Sequence, residues 1–228
     1  MTSGTSALPT PAEAEALVRE HALLLPVESR PLESLAGAFL AQSVRSERDQ
    51  PPFDRVTMDG IAFASQAWRQ GQRRFRIAGI QAAGYPPLNL VDAADCLEAM
   101  TGAVLPQGCD CVVPVERLRV EDGFAVVNDD TPVEPFLNVH TRGLDAREGD
   151  LLLARGTRVG APELAVLASA GLPRADVRIE PRILIATTGD DRVAPDQPIA
   201  AWQVRRSNSH ALRGALNLRG HLRVAEDH

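Results

Sequence analysis

The stretch at residues 51–65, PPFDRVTMDGIAFAS, sets the pattern for the rest of the chain. Its two prolines fix φ and push the residues before them towards extended backbone. Gly60 allows a backbone angle that a side chain would resist, so Asp59 is predicted to stand at a sharp bend before the apolar strand 61–64. This arrangement would hold one carboxylate still at a surface. The alternative is that Asp59 only hydrogen-bonds its own turn.

Two later stretches carry a hydroxyl and a second carboxylate. In residues 99–116, AMTGAVLPQGCDCVVPVE, Thr101 precedes a glycine and supplies a hydroxyl that can donate to a phosphate or a bound oxyanion. A Thr-Gly pair by itself is only a turn. In residues 138–150, NVHTRGLDAREGD, the candidate is Asp145. Its alternative is a surface ion pair with Arg142 or Arg147, which would contribute only about 0–1 kcal/mol to stability.

A fourth stretch, RILIATTGDDRVAPDQPI at residues 182–199, combines an apolar run with a glycine-containing loop. The run 183–186 predicts a buried parallel strand, and loops at the carboxyl ends of such strands are where α/β sheets bind ligands. Asp190 and Asp191 in the loop carry oxygens suited to magnesium. Paired surface aspartates are also common without any metal.

These four stretches, in this order, resemble the MoeA and gephyrin E-domain family, the enzymes that insert molybdenum into molybdopterin. Residues 51–63 are similar to PPFDNSAMDGYAV, residues 98–116 to RIMTGAPLPPGADAVVPVE, and residues 138–150 to NVRRRGEDIKAGD. Residues 182–199 are similar to RVAVLSTGDELVEPGEPL, and RRSN at 205–208 is similar to YDSN.

The resemblance implies an α+β multidomain fold with a discontinuous first domain. A helical and extended dimerisation domain would comprise residues 1–46 and 147–176. A mostly β domain would be inserted at 47–146. The beginning of an α/β, MogA-like domain that binds molybdopterin would follow at 177–228.

The resemblance also implies a reaction, in which molybdate enters the dithiolene of adenylylated molybdopterin and AMP leaves. Mg²⁺ is the implied cofactor. The implied partner is a second copy of the chain, with other proteins of molybdenum cofactor biosynthesis as further candidates. The implied site residues are Asp59, Thr101, Asp145 and Asp191 for catalysis, Thr188, Gly189, Asp190, Ser207 and Asn208 for cofactor binding, and Asp190 and Asp191 for the metal.

Several positions depart from the family patterns, and some of them reverse charge. Arg55 stands where the pattern has asparagine, Glu98 replaces arginine, Asp191 shortens a glutamate, and Arg206 replaces an aspartate. The alternative function is therefore a truncated, non-catalytic protein of this type that binds or scaffolds. A third candidate is a partner-interaction domain with no affinity for the cofactor.

Composition excludes several function classes. The chain has 228 residues and a net charge of −6, which disfavours a nucleic-acid-binding surface. All 24 basic residues are arginine, so Schiff-base chemistry and a phosphate-loop lysine are excluded. The three cysteines suit small packed thiols rather than a disulfide or zinc framework, and the five histidines form no metal-binding pattern. Without a leader-like or membrane-spanning apolar run, the sequence predicts a cytoplasmic protein.

Local patterns predict most of the regular elements. A helix with a capping box should begin after Thr10, run to about Leu24 and pack through Leu17. A hairpin is expected around Gly123 within a mostly β region, and a second hairpin around Gly156. Further helices are predicted at 162–170 and at 208–218, the latter capped by Ser207.

Overall fold

The computed structural model describes residues 8–189, 191–221 and 223–227, which form a mixed α and β structure. Its helices are α1 (Pro11–His21), α2 (Ser65–Arg69), α3 (Ala161–Ser169) and α4 (Asn208–Leu218). Its strands are β1 (Val27–Pro31), β2 (Val44–Arg45), β3 (Arg55–Val56), β4 (Gly60–Phe63), β5 (Arg74–Gln81), β6 (Asp95–Ala99), β7 (Cys111–Pro114), β8 (Leu118–Glu121), β9 (Phe124–Val127), β10 (Val139–His140), β11 (Leu151–Leu153), β12 (Arg174–Arg178), β13 (Ile183–Ala186), β14 (Arg192–Val193), β15 (Val204–Arg205) and β16 (Val224–Asp227).

The chain divides into two compact units. The central unit is Val44–Leu152, and the terminal unit joins the residues up to Ser43 to those from Leu153 onward. The finer division into three domains, with boundaries at 47, 146 and 177, stays a prediction.

The central unit is built on a six-stranded sheet with the strand order β7-β4-β6-β5-β9-β8. Strand β4 is antiparallel to both of its neighbours, whereas β5 runs parallel to β6. All four residues of β4 are buried, because the strand has hydrophobic clusters on both faces. Ile61 and Phe63 pack into one cluster and Ala62 into the other, as the two-residue period of a strand requires. The Phe63 ring stacks on that of Phe75, with 4.3 Å between centroids.

The reason predicted for Gly60 was wrong, although glycine is needed there. Its φ lies outside the left-handed region, so the position does not depend on glycine's backbone freedom. A Cβ at residue 60 would instead lie 2.0 Å from the carbonyl oxygen of Val113 on the neighbouring strand. The residue is therefore fixed by close packing of β4 against β7.

The hairpin predicted around Gly123 is confirmed as β8 and β9, which pair antiparallel. The alternation along β5 is also present, with Phe75 fully buried between exposed arginines. The guanidinium of Arg74 lies over the Phe124 ring at 3.4 Å, and Arg76 pairs with the buried carboxylate of Asp95.

In the terminal unit, α1 has the predicted capping box but not the predicted packing face. The amide of Glu13 donates to the Thr10 hydroxyl, and the Glu13 carboxylate accepts from the Thr10 amide. The helix ends at His21, since Ala22 is already extended. No residue of α1 is buried, and Leu17 is 49% exposed, so within the described part of the chain the predicted packing face is not buried.

The hairpin predicted around Gly156 was wrong. The turn itself exists, with Gly156 at φ 89° and the Thr157 amide donating to Ala154. The residues on its two sides pair with separate segments, because β11 joins β2 whereas the backbone of Thr157 and Val159 bonds to residues 37–40. The long-range partners thus prevail over the local hairpin.

The start of the α/β pattern is present. Strands β13 and β16 are parallel, with α4 between them in sequence, and α4 has the predicted bounds. Burial along β13 differs from the prediction, since Ile185 is buried while Leu184 is 61% exposed. Helix α3, at Ala161–Ser169, confirms the prediction for that region to within one residue at each end.

Candidate functional site

Asp59 and Thr101, which are far apart in sequence, meet at the end of the central sheet. The Oδ1 atom of Asp59 accepts two hydrogen bonds, from the Thr101 amide at 2.7 Å and from the Thr101 hydroxyl at 2.6 Å. The alternative that Asp59 bonds only its own turn is therefore wrong. In this structure the Thr101 hydroxyl donates to the Asp59 carboxylate, and its donation to a phosphate or a bound oxyanion stays a prediction.

Strand register brings this pair together. Gly60, the first residue of β4, lies opposite Ala99, the last residue of β6. The two strands are antiparallel, so the residues just before Gly60 and just after Ala99 leave the sheet at the same edge. Close packing of Gly60 on Val113 fixes where this edge lies.

The contact keeps the Asp59 carboxyl ionised. The hydrogen bond from the Thr101 hydroxyl, followed by that from the Thr101 amide, lowers the pKa of Asp59 below its ordinary value of 3.8. At neutral pH the side chain is a carboxylate that accepts hydrogen bonds. Its low basicity suits it to orienting a water or a hydroxyl rather than to removing a proton outright.

Asp145 has a partner that sequence reasoning missed. Its Oδ1 atom lies 3.0 Å from Nε2 of His140, and Nδ1 of the same imidazole lies 3.2 Å from Nη2 of Arg55. The predicted alternative, pairing with Arg142 or Arg147, is therefore wrong for the described contacts. Arg142 instead donates from Nε to Asp49 at 2.7 Å.

Asp49 fastens the loop that carries Asp145. Its Oδ1 accepts from the Glu148 amide at 3.0 Å, and its Oδ2 accepts from Arg142. The bond from the Glu148 amide, then that from Arg142, lowers the pKa of the Asp49 carboxyl. The Asp145 amide adds a further tie by donating to the Gln50 carbonyl at 2.8 Å. The loop is thus held at both ends and at Asp145 itself.

One short backbone segment, residues 55–57, lies between the Asp59–Thr101 pair and the His140–Asp145 pair. The carbonyl of Val56 accepts from the amide of Gly102, and the amide of Thr57 donates to Asn138. Residues 55–57 therefore connect the loop of Thr101 on one side with β10 and His140 on the other. Backbone hydrogen bonds thus link the segments that carry Asp59 and Thr101 with the strand that precedes Asp145, all within the central unit.

The terminal unit carries a cavity of about 250 Å³ at the start of α4. Its lining includes hydroxyl and amide side chains together with three arginines: Thr187, Ser207, Asn208, Arg192, Arg205 and Arg206. Ser207 occupies the N-cap position, as predicted, but its hydroxyl makes no capping hydrogen bond within the described chain. Ser207 lines the cavity together with amide and guanidinium side chains, which are groups that bind phosphate.

The remaining predicted residues lie in the adjoining loop or outside the described chain. The carbonyl of Gly189 accepts from the amide of Arg192, and that of Asp191 accepts from the amide of Val204. Thr188 precedes this turn. Asp190 lies outside the described residues, so its predicted roles in cofactor and metal binding stay predictions.

Across the described ranges, no group of three or more His, Cys, Asp or Glu side chains is arranged to hold a metal ion. Magnesium is commonly held by one or two carboxylates together with substrate phosphates and water. The described part of the loop contributes one carboxylate, Asp191, which precedes Arg192 of the cavity lining in sequence. The donor set therefore fits magnesium only as an ion shared with a bound phosphate.

Three residues that make these contacts were given no role from the sequence alone: Arg55, His140 and Asp49. Arg55 and His140 lie in the quoted stretches 51–65 and 138–150, but their mutual contact, like the contacts of Asp49, joins segments that are distant in sequence. The register of β3 against β10, which sets Arg55 opposite His140, would have pointed to two of them.

Comparison with known proteins adds a family to this geometry. A family model for the MoeA N-terminal region (domain I and II) matches residues 10–171. A molybdopterin molybdenumtransferase of Synechocystis is 39% identical over 192 residues, which cover 84% of this chain and 49% of that protein. Proteins of the same name from Nostoc and Bacillus subtilis are 31% and 29% identical over 81% and 78% of this chain. The chain spans about half the length of these relatives.

Solved structures agree in fold. A molybdopterin biosynthesis MoeA protein from Pyrococcus horikoshii matches with a TM-score of 0.73 and 27% identity, over 94% of this chain and 55% of that one. A second structure from the same organism has a TM-score of 0.74 at 24% identity, a likeness of fold alone. In the described part of the chain, every helix is too short or too polar to cross a bilayer.

Proposed function

The chain belongs to the MoeA N-terminal region family, and from this premise we propose that it acts in molybdenum cofactor biosynthesis as a molybdopterin molybdenumtransferase-like protein. The proposed reaction inserts molybdate into adenylylated molybdopterin and releases AMP. The observation that carries the proposal is the contact between Asp59 and Thr101, two candidates chosen from separate motifs and joined by two short hydrogen bonds.

In this proposal Asp59 orients the attacking oxygen of the phosphate cleavage. A carboxylate with a lowered pKa is ionised throughout the neutral range and accepts a hydrogen bond from water or from a substrate hydroxyl. The Thr101 amide and hydroxyl fix its direction. The rate of cleavage would rise because the reacting groups are held in one geometry, which lowers the entropy cost of reaching the transition state.

The arginine-lined cavity supports binding of the phosphate end of the substrate. Arg192 and Arg206 supply charge, and Ser207 and Asn208 supply shorter-range hydrogen bonds at the first turn of α4. A helix start and guanidinium groups both favour an anion. Magnesium, held by Asp191 with the bound phosphate, would neutralise charge on the phosphate oxygens.

A second candidate function is binding without turnover. Arg206 favours this second function, because its positively charged side chain lines the cavity at a position where the family pattern has an aspartate. Tighter phosphate binding with loss of a carboxylate would produce a protein that holds molybdopterin or its adenylylated form without reaction. We place either function in the cytoplasm and in a homodimer of this chain.

The test is incubation of the purified chain with adenylylated molybdopterin, molybdate and magnesium, with AMP quantified by chromatography. The transferase proposal predicts AMP release that Asp59→Asn abolishes and that a control, Asp122→Asn, preserves. Asp122 lies in the β8–β9 turn at φ 51°, a conformation that asparagine also adopts. Binding measured by calorimetry in the absence of AMP release would overturn the transferase and leave the binding protein.

A further inference from the structure

We propose that His140 is a positioning residue that holds the carboxylate of Asp145 in one orientation, and that Arg55 fixes His140 in the tautomer this requires. The effect on turnover rests on the proposed function, whereas the tautomer and the orientation do not. The three side chains form a relay from Arg55 through His140 to Asp145.

The tautomer follows from the hydrogen-bonding capacity of the guanidinium group. Arginine carries only donors, so the bond between Arg55 Nη2 and His140 Nδ1 requires an unprotonated Nδ1. The carboxylate of Asp145 only accepts, so the bond at 3.0 Å requires a proton on Nε2. A neutral imidazole with its proton on Nε2 satisfies both contacts. The opposite tautomer satisfies neither.

The backbone builds this relay into the fold. Strands β3 and β10 are antiparallel with Arg55 directly opposite His140, so the two side chains start from neighbouring positions. A further backbone bond, from Thr57 to Asn138, holds the strands together next to this pair. The Arg55 side chain can therefore reach the imidazole without rearrangement of either strand.

The exposed fractions of the two side chains indicate that His140 positions Asp145, and not the reverse. The His140 side chain is 23% exposed and the Asp145 side chain is 57% exposed. A sheltered imidazole thus holds an accessible carboxylate. The Asp145 amide is already tied to Gln50, so the freedom that remains is rotation of the side chain. Among the described residues Oδ2 of Asp145 makes no hydrogen bond, so this oxygen keeps its capacity to accept one from a substrate or water.

The first test reads the tautomer and the orientation without turnover. Long-range ¹H–¹⁵N correlation spectra of the labelled chain should show His140 with a protonated Nε2, its signals being identified by their loss in His140→Gln. Arg55→Met should convert this signal to a mixture of tautomers. Three-bond couplings should show one χ1 rotamer for Asp145. This rotamer should be averaged in His140→Leu and restored in His140→Gln, because the glutamine amide has both an acceptor oxygen and a donor NH₂ group. A protonated Nδ1, or an unchanged rotamer in His140→Leu, would overturn the proposal.

The second test uses AMP release. His140→Leu should lower kcat about 10- to 100-fold with little change in KM, the size of effect that misplacement of a reacting group produces. His140→Gln should restore most of the rate, and Asp145→Asn should cause no further loss in the His140→Leu background. Equal losses in His140→Leu and His140→Gln would contradict the positioning role. If the wild-type chain releases no AMP, the proposed function fails, and the spectra alone decide the role of His140.

Discussion

Gly60 approaches the backbone of Val113 so closely that a methyl group on residue 60 would lie 2.0 Å from the Val113 carbonyl oxygen. The atom in the way belongs to the backbone of the paired strand β7, so it cannot move without disturbing the sheet. The glycine therefore sets the separation of the strands just beside Asp59. Any wider spacing would move Asp59 relative to Thr101.

Gly60→Ala should destabilise the protein by about 1–3 kcal/mol or more, the usual cost of overpacking a buried site. Equilibrium unfolding in urea gives this quantity. The matched control is Gly79→Ala in β5, where the new methyl would lie 3.3 Å from the end of the flexible Leu97 side chain. We expect the control to change stability by less than about 1 kcal/mol. Equal effects in the two variants would show that the packing of Gly60 is not special.

The Asp59–Thr101 contact should make stability depend on pH in a defined direction. The folded-state pKa of Asp59 is lowered, so its stabilising effect is fully present above the ordinary value of 3.8 and is lost as the pH falls through the folded pKa. The difference in free energy of unfolding between wild type and Asp59→Asn should be largest at neutral pH and should shrink in acid. Thr101→Val, which keeps the amide donor, should remove part of the effect. A difference that grows on acidification would contradict the assigned contact.

The cysteines should be unreactive in the folded protein. Burial is the main cause that raises the pKa of Cys96 and of Cys109 to about 12, and it also raises that of Cys111. Very little thiolate then exists at neutral pH, and the thiolate is the reactive form. Titration with a chromogenic disulfide reagent should detect no thiols in the native state and three in denaturant. Rapid reaction of one thiol without unfolding would show that the hydrophobic clusters open more readily than this packing implies.

Helix α4 offers a stabilising substitution. Gly214 lies inside the helix, and a Cβ there would meet no atom within 4 Å. Gly214→Ala should therefore stabilise the helix by about 0.5–1 kcal/mol, through the smaller loss of backbone entropy on folding. Slower hydrogen exchange of the α4 amides would reveal the gain. Faster exchange would mean that the surroundings of residue 214 are more crowded than they are here.

Sequence reasoning succeeded where the deciding interactions are local. The capping box of Thr10 and Glu13, the β8–β9 hairpin and the bounds of α4 depend on residues a few positions apart. The alternation of Phe75 with arginines likewise follows from the two-residue period of a strand. Such signals act over one turn of chain, so a single sequence contains them in full.

The failures arise where distant segments decide. The turn at Gly156 reads as a hairpin, but the backbone on its two sides finds partners in β2 and in residues 37–40. Gly60 is needed because of a strand that lies more than 50 positions away. His140 becomes a site residue only through the register that sets it opposite Arg55. Strand register depends on how the whole sheet packs, so a local sequence pattern does not predict it.

In the candidate site too, the residues could be predicted from local sequence, whereas their contacts depend on distant segments. Asp59 and Thr101 were predicted from separate motifs and are joined in the structure, whereas the hydrogen bond from the Thr101 hydroxyl to Asp59 depends on the fold and on neither motif alone. Asp145 was predicted from its stretch of sequence, but its partner is His140 and not the predicted Arg142 or Arg147.

The most direct test of the central claim is the rate of AMP release from adenylylated molybdopterin by wild type, Asp59→Asn, Thr101→Val and the control Asp122→Asn. The account predicts that the control retains the wild-type rate, that Asp59→Asn loses it, and that Thr101→Val in the Asp59→Asn background causes no further loss, since the two side chains act as one unit. Full activity in Asp59→Asn, with Asp122→Asn behaving identically, would contradict it.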